Sequence, residues 1–455
     1  MPTELLQQVR VIDPASGTDR VADVLIGDGV ISAIADSISD YPSDTHVQNC
    51  QGLILGTGLV DLYSHSGEPG FEERETLQSL LSSASAGGFT RITILPDTKP
   101  AIDNPGSVAW VRSRGTGNRG QGTGAGEAEG AGEAGLHPTP HTPHPTPHTP
   151  YPTPHLHCWG ALTQDVAGQQ MTELGELAAT EIVGFADGRS LTNLLLIRRL
   201  LEYLKPVAKP IALWAADPFL SGNGVMREGQ ASLQFGLPGI PTIAETAPLS
   251  ALLECIEAIG TPVHLMRIST ARGVAMIQAA KARGVPITAS TTWMHLLLNS
   301  EAIGGYDPSL HLAPPLGNPE DQEALIHAVK EGVIDVIAID HTPYTYEEKT
   351  VAFAEAPPGA IGLEFALPLL WQSLVETRKW SALDLWRSLS HQPSLCLQQK
   401  PATIAPGQPA ELTLFDPQQV WTVEPRSLKS LAANTPWLGR TVTGRVVRTW
   451  IEKKG

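Results

Sequence analysis

The sequence predicts an α/β chain: a TIM-like (β/α)8 barrel joined to a small β domain built from both chain termini. Three observations carry this. Between residues 53 and 400 short apolar strands alternate with amphipathic helical stretches, the pattern of parallel βα units. Eight such strands can be counted, the number that closes a barrel. The flanking segments 1–52 and 401–455 lack that alternation and read as strands broken by turns.

The first strands are expected near 9–12, 23–26 and 30–34, punctuated by Asp13-Pro14 and by Gly27-Asp28-Gly29. The barrel strands follow near 53–63, 90–95, 158–162, 182–185, 210–215, 263–268, 286–289 and 334–339. Each is a short apolar run, as strands buried on both faces require. Strands resume at 411–415 and 444–451 around turns such as Pro406-Gly407. Termini that lie close together would let both ends share one domain.

One segment belongs to neither domain. Residues 114–155 run through Gly-rich and Glu-Ala repeats into a His-Pro-Thr tract with almost nothing apolar to bury. A disordered insert with polyproline II character in its second half is expected. His137, His141, His144, His148, His155 and His157 fall in it or at its edge and could collect metal adventitiously, although such tracts commonly act as solvated linkers. Because it follows a helix at 107–112 and precedes a strand, the insert should leave the barrel at its N-terminal face, opposite the face that carries catalysis.

Composition narrows the function. A formal charge of -16 argues against nucleic acid or an anionic membrane as partner, since phosphate-binding surfaces need Lys and Arg. Cys50, Cys158, Cys255 and Cys396 are scattered without a C-x-x-C pair, which suggests a reducing cytoplasm and no zinc ribbon. The N-terminus has no basic, then apolar, leader pattern, and no span reaches the ~18 apolar residues of a membrane helix. A soluble protein is expected.

The most informative stretch is GLVDLYSHSGEPG at 58–70. Alternation places Asp61, Tyr63 and His65 on one side of a strand end, which is how a barrel delivers ligands to its mouth. Two histidines two apart would clamp a transition metal, yet one of the two positions is a tyrosine.

That stretch is joined by EGQASL at 228–233, GLPGIP at 236–241, DHTP at 340–343, FAEAP at 353–357 and IGLEFALP at 361–368. AELTLFD at 410–416 and NTPW at 434–437 extend the match to the C-terminal segment. Together these resemble dihydroorotase, of the amidohydrolase superfamily, over nearly the whole chain outside the insert. Allantoinases and hydantoinases share the barrel, but Glu68-Pro69-Gly70 and the run at 361–364 favour dihydroorotase.

The resemblance implies a zinc site of two histidines after strand one, a carboxylate or carboxylated lysine after strand four, and histidines after strands five and six. An aspartate after strand eight would act as acid and base. The matching positions are Tyr63 and His65, Asp187, Trp214 and Arg267, and Asp340. His65, Asp187 and Asp340 remain as residual metal positions, whereas Tyr63, Trp214 and Arg267 replace expected histidines. An indole N–H has no lone pair to offer, and a guanidinium repels a dication. A tyrosine ligates only after losing a proton of pKa about 10. The usual cage should not form, so no cofactor is expected, with zinc on the three residual ligands if the protein is active. In the vacated mouth Arg267 should neutralise Asp187 or Asp340.

Each retained residue also has a plainer reading. His65 would serve as a hydrogen-bonded core histidine, Asp187 as a turn residue before Gly188, and Asp340 as a strand terminator. Asp61 reads as a hydrogen-bonding orienter, and Trp214 and Trp293 as packing residues.

Substrate recognition is altered in parallel. The resemblance places Gly67, Asp97 and Tyr344 where the family has an arginine, an asparagine and a histidine facing the substrate carboxylate, and Ala313 where it has a further asparagine. Pro358 and Gly359 could still meet a ring through backbone groups. An anion about 4 Å from Asp97 would cost on the order of 4 kcal/mol at an effective dielectric of about 20. The resemblance therefore favours a non-catalytic dihydroorotase-like protein of pyrimidine biosynthesis. It would serve as a structural partner, with aspartate transcarbamoylase or a second copy of the chain as the candidate partner. The alternative is a working cyclic amide hydrolase, interconverting dihydroorotate and N-carbamoyl-aspartate, with a rebuilt site.

Overall fold

The computed structural model describes residues 3–115 and 152–451. The expected disorder of the insert, and with it His137, His141, His144 and His148, lies outside those residues. Its predicted edges shift: residues 114–115 complete the helix Pro105–Gly115, and His155 opens a strand.

The barrel strands are β1 (Leu59–Ser64), β2 (Phe89–Ile94), β3 (His155–Gly160), β4 (Gly184–Phe185), β5 (Ala212–Trp214), β6 (Val263–Met266), β7 (Ile287–Thr292) and β8 (Val336–Ala338). They form two parallel arcs, β1 to β4 and β5 to β8 in sequence order. Parallel bridges from Phe185 to Ile211 and from Ser190 to Trp214 join the arcs on one side. On the other, Asp340 N–H donates to the Tyr63 carbonyl (3.2 Å) and His65 N–H to the His341 carbonyl (2.8 Å). The (β/α)8 closure brings the ends of β1 and β8 together.

Local chemistry sets the helices outside this ring. In Leu194–Leu204 the Asn193 side chain caps the first turn, and Leu196, Ile197, Leu200, Leu201 and Leu204 make one buried stripe. Ala271–Ala282 follows β6 and is capped by Thr270, whose hydroxyl accepts from Gly273 N–H (2.9 Å). The cap fixes where the chain leaves the mouth three residues after Arg267.

Both termini build one seven-stranded sheet, in the order Thr441–Trp450, Leu412–Thr422, Ile54–Thr57, Glu4–Asp13, Thr18–Gly27 and Val30–Ala35, with His46–Asn49 pairing with Glu4–Asp13. The apolar run 53–63, expected as one barrel strand, is therefore two strands. Ile54–Thr57 belongs to the β domain, and β1 starts after Gly58, where a Cβ would overlap the Thr90 side chain. A continuous apolar run hides this break, because both halves are fully buried. Arg91 and Glu411 form a bidentate pair (2.7 and 2.6 Å) that holds the two domains together. A further two-stranded parallel sheet, Met226–Arg227 with Gly239–Ile240, sits in the excursion after β5 and was not expected. Among the described residues no helix is long and apolar enough to cross a membrane.

The C-terminal segment returns over the mouth as a strap. Glu364 Oε1 accepts from Lys429 N–H (2.8 Å), Ser430 N–H (3.2 Å) and the Ser83 hydroxyl (3.2 Å). Buried Glu75 accepts from Leu431 N–H (3.1 Å) and the Ser430 hydroxyl. Asn434 then accepts from Tyr344 N–H (3.1 Å) and donates to the Thr342 and Gly359 carbonyls (2.9 and 3.2 Å), fixing two mouth loops at once.

Burial pushes the Glu364 carboxyl up to about 7, with the charge of Glu75 adding to it and the three donors opposing. A carboxyl whose pKa is higher in the folded than in the unfolded state makes the folded state the stronger proton binder. Stability then falls as pH rises from about 4.5 to about 7. Glu364→Gln is expected to flatten that stretch of the stability profile, read as urea midpoints against pH. A mutant profile parallel to wild type would contradict the assignment.

Candidate functional site

The strand ends converge on a cavity of about 300 Å³. His65 comes from β1, Asp97 from the turn after β2, Trp214 from β5, Arg267 from β6 and Asp340 from β8, and all line it. So do Gly67, Ala313, Tyr344, Pro358 and Gly359, the five remaining positions singled out for substrate contact.

Arg267 occupies the centre. Its Nε and Nη2 donate to the two oxygens of Asp340 (2.8 and 2.6 Å), Nη2 also to His65 Nε2 (3.1 Å), and Nη1 to the Gly188 carbonyl (2.6 Å). The guanidinium stands 4.8 Å from the Trp214 ring centre and 5.5 Å from that of Tyr63, within cation–π range. Its side chain is 4% exposed, so it is desolvated and needs these partners. Burial lowers its pKa, but Asp340, with Tyr63 and Asp97 adding to it, outweighs burial and the pKa is raised.

Both members of the pair sit in the left-handed region, Arg267 at φ +57° and Asp340 at φ +53°. For a residue with a Cβ this costs roughly 1–2 kcal/mol each. At Arg267 the turn sends the next residue back into register, with Ile268 N–H on the Ser290 carbonyl (2.9 Å). The bidentate pair offsets that strain.

The hydrogen bonds also assign the His65 tautomer. A guanidinium can only donate, so Nε2 must accept, and Nδ1–H must be the donor to Asp97 Oδ2 (2.8 Å). The lone pair that would otherwise face a metal thus receives an N–H. Burial pushes the Asp97 carboxyl up, but His65, Arg189 and Arg267 together hold it below the usual range.

Tyr63 lies beneath this layer. Its hydroxyl accepts from Arg267 N–H (3.3 Å) and pairs with Ser290 Oγ (2.9 Å), which in turn meets His264 Nε2 (2.9 Å). Burial pushes the phenol pKa well up, so Tyr63 stays protonated, and pushes His264 down to about 3, so the imidazole is neutral.

Asp187 departs from expectation. Its oxygens accept from Leu162 N–H (2.7 Å), Thr163 N–H (3.1 Å) and the Thr163 hydroxyl (2.5 Å), and it does not line the cavity. Two backbone donors and a hydroxyl draw it toward the end of β3, so Arg267 pairs with Asp340 alone. Asp61 likewise orients backbone and not His65: it accepts from Ile339 N–H (3.0 Å) and the Ser64 hydroxyl (2.5 Å). Among the described residues no three His, Cys, Asp or Glu side chains gather where they could hold a metal ion.

Gly67 has no room for a side chain, because a Cβ there would overlap the Phe71 and Glu75 carbonyls. Sequence reasoning missed Arg74 and Arg189, which line the cavity too. Arg74 is clamped by Glu348 (3.0 and 2.5 Å) and covers the Phe71 and Tyr344 rings. Arg189 directly follows Asp187-Gly188, so the motif itself could have flagged it.

No family model matches the sequence. A protein of Synechocystis named "Probable dihydroorotase-like protein" is 44% identical over 455 residues, covering 98% of this chain and 99% of that protein. Dihydroorotases of Syntrophus aciditrophicus and Pelobacter propionicus are 34% and 36% identical, each covering 98% of this chain and 97% of the relative. Among solved structures, an L-hydantoinase from Arthrobacter aurescens matches with a TM-score of 0.78 at 18% identity, covering 100% of this chain and 98% of its own. A dihydropyrimidinase from Brevibacillus agri matches at 0.76 and 18%, covering 99% and 94%. At such identities these structures speak to the fold alone.

Arg267→Met is expected to destabilise the protein by about 3–5 kcal/mol, because it leaves Asp340 buried and unpaired. With Asp340→Asn in the same chain the loss should be smaller than the sum of the single losses. Denaturant unfolding of the four proteins measures this, and additive losses would contradict the pairing.

Proposed function

The chain belongs to the dihydroorotase family, and from that premise we propose that it is a non-catalytic, dihydroorotase-like protein in which Arg267 stands where a metal would otherwise balance the mouth. The observation that carries this is the saturation of the retained groups. Both oxygens of Asp340 and the Nε2 lone pair of His65 are engaged by one guanidinium. The donor set does not fit zinc: Tyr63 is a buried phenol, Trp214 offers an N–H only, and Asp187 is committed to Thr163. Hydrolysis of a cyclic amide at neutral pH needs an activated water, and three positions that would hold a metal for that purpose carry Tyr63, Trp214 and Arg267 instead.

Loss of the site with retention of the whole fold fits a role through the surface. Within pyrimidine biosynthesis we propose that the chain acts as a structural partner, with aspartate transcarbamoylase as the first candidate and a second copy of itself as the next. An active hydrolase is the competing reading. In its favour stand full-length identities of 34–36% to proteins named dihydroorotase and the retention of His65 and Asp340.

Purified full-length protein, dialysed against a weak chelator, separates the two readings. The proposal expects far less than one zinc per chain by elemental analysis and no ring opening of dihydroorotate above the protein-free rate with zinc added. Stoichiometric zinc together with turnover would establish the competing reading.

A further inference from the structure

We propose that the strap over residues 429–437 is a pH-sensitive cover for the mouth, docked while Glu364 carries a proton and released as that carboxyl ionises. None of the residues that work it belongs to the Arg267 layer, so the device is independent of whether the mouth turns over a substrate.

The strap has no ladder to hold it. Between the turn Pro425–Ser427 and the strand Thr441–Trp450 it forms neither helix nor strand. Three successive main-chain N–H groups go to carboxyl side chains instead: those of Lys429 and Ser430 to Glu364 Oε1 (2.8 and 3.2 Å) and that of Leu431 to Glu75 Oε1 (3.1 Å). Ser430 bridges the two acids, since its N–H serves Glu364 while its hydroxyl serves Glu75. Docking therefore depends on the state of these carboxyls.

The surroundings disfavour charge on both. Glu75 is fully buried and Glu364 nearly so. From the helix Leu77–Ala86, which carries no charged residue, Glu364 receives only the Ser83 hydroxyl (3.2 Å). His341 Nδ1 accepts from Gly362 N–H (3.2 Å), so its Nε2 is the donor toward Glu75 (3.4 Å). The guanidinium groups of the neighbouring elements are engaged elsewhere: Arg74 with Glu348, Arg426 with Glu424, Arg448 with Glu4, and Arg445 over the Trp421 ring. The Lys429 ammonium belongs to the strap and moves with it.

Ionising Glu364 in the docked state places its charge near that of Glu75 in a desolvated site. Swinging residues 429–431 away admits water and relieves this. Burial and Glu75 together raise the docked carboxyl to about 7, against about 4.5 when it is free. The docked state is thus the stronger proton binder, and release becomes easier as pH rises from about 4.5 to about 7, then levels off.

Release reaches the mouth through residues already tied to the strap. Asn434 holds Thr342, Tyr344 and Gly359, its carbonyl accepts from Ile361 N–H (3.1 Å), and Trp437 packs on Trp293. Thr342, Tyr344, Gly359 and Trp293 all line the cavity, so a free strap loosens one wall.

Hydrogen exchange of the full-length protein, read by mass spectrometry from about pH 5 to about pH 8 and corrected for intrinsic rates, tests this. Residues 429–437 are expected to exchange well ahead of the helix Leu194–Leu204 at every pH. Their protection should fall about 40-fold between about pH 5 and about pH 7, and only about twofold more by about pH 8. Segments 342–344 and 358–361 should follow the strap. Glu364→Gln, whose amide oxygen still accepts both N–H groups, should remove the slope and leave the strap protected at neutral pH. If that variant fails to fold, Glu75→Gln takes its place and should end the fall at a lower pH. Exchange of strap and helix together would mean that opening is global and would overturn the proposal. So would a flat wild-type profile, a slope retained in Glu364→Gln, an unmoved profile in Glu75→Gln, or mouth segments indifferent to the strap.

Discussion

The barrel mouth depends on one buried cation. Asp340, His65 and the Gly188 carbonyl all point acceptors at the same place, and an acceptor set without a positive partner would be costly in a desolvated site. Arg267 answers that demand through covalent attachment to β6, a fixed charge and a fork of N–H groups that matches a carboxylate. A metal would impose coordination geometry on several ligands and activate water. A guanidinium imposes planarity on one carboxylate and, in the proposed reading, leaves water unactivated. The same electrostatic balance is reached with different chemical consequences.

The remainder of the molecule serves that arrangement. Barrel closure between β1 and β8 brings His65 and Asp340 together through main-chain bonds. Left-handed backbone at residues 267 and 340 lets both side chains face the mouth at the ends of their strands. The strap over residues 429–437 is pinned by Glu75 and Glu364 and in turn holds the loops that carry Tyr344 and Gly359. Trp437 packs on Trp293, 5.1 Å between ring centres, and so ties the strap to the cavity wall. Site and β domain are therefore mechanically one unit.

Much of this was legible in the residues. Alternating apolar runs and helical stretches announced the barrel, since strands buried on both faces cannot be polar, and the family motifs located Arg267, Asp340 and His65. What escaped is what a linear pattern does not encode. The split at Gly58 is hidden inside one apolar run that serves two sheets. The choice between Asp187 and Asp340 as partner of Arg267 turned on two backbone N–H groups that claim Asp187. The pair Met226–Arg227 and Gly239–Ile240 is too short to carry a period. Arg74 reaches the cavity from a loop, where spacing gives no clue to direction, whereas Arg189 could have been flagged by its place directly after Asp187-Gly188.

The most direct measurement of the central claim is anomalous diffraction at the zinc edge from crystals of the full chain grown with excess zinc. This account predicts the guanidinium in bidentate contact with Asp340 and no anomalous peak within bonding distance of His65 Nε2. A peak between His65 and Asp340, with Arg267 swung aside, would contradict it.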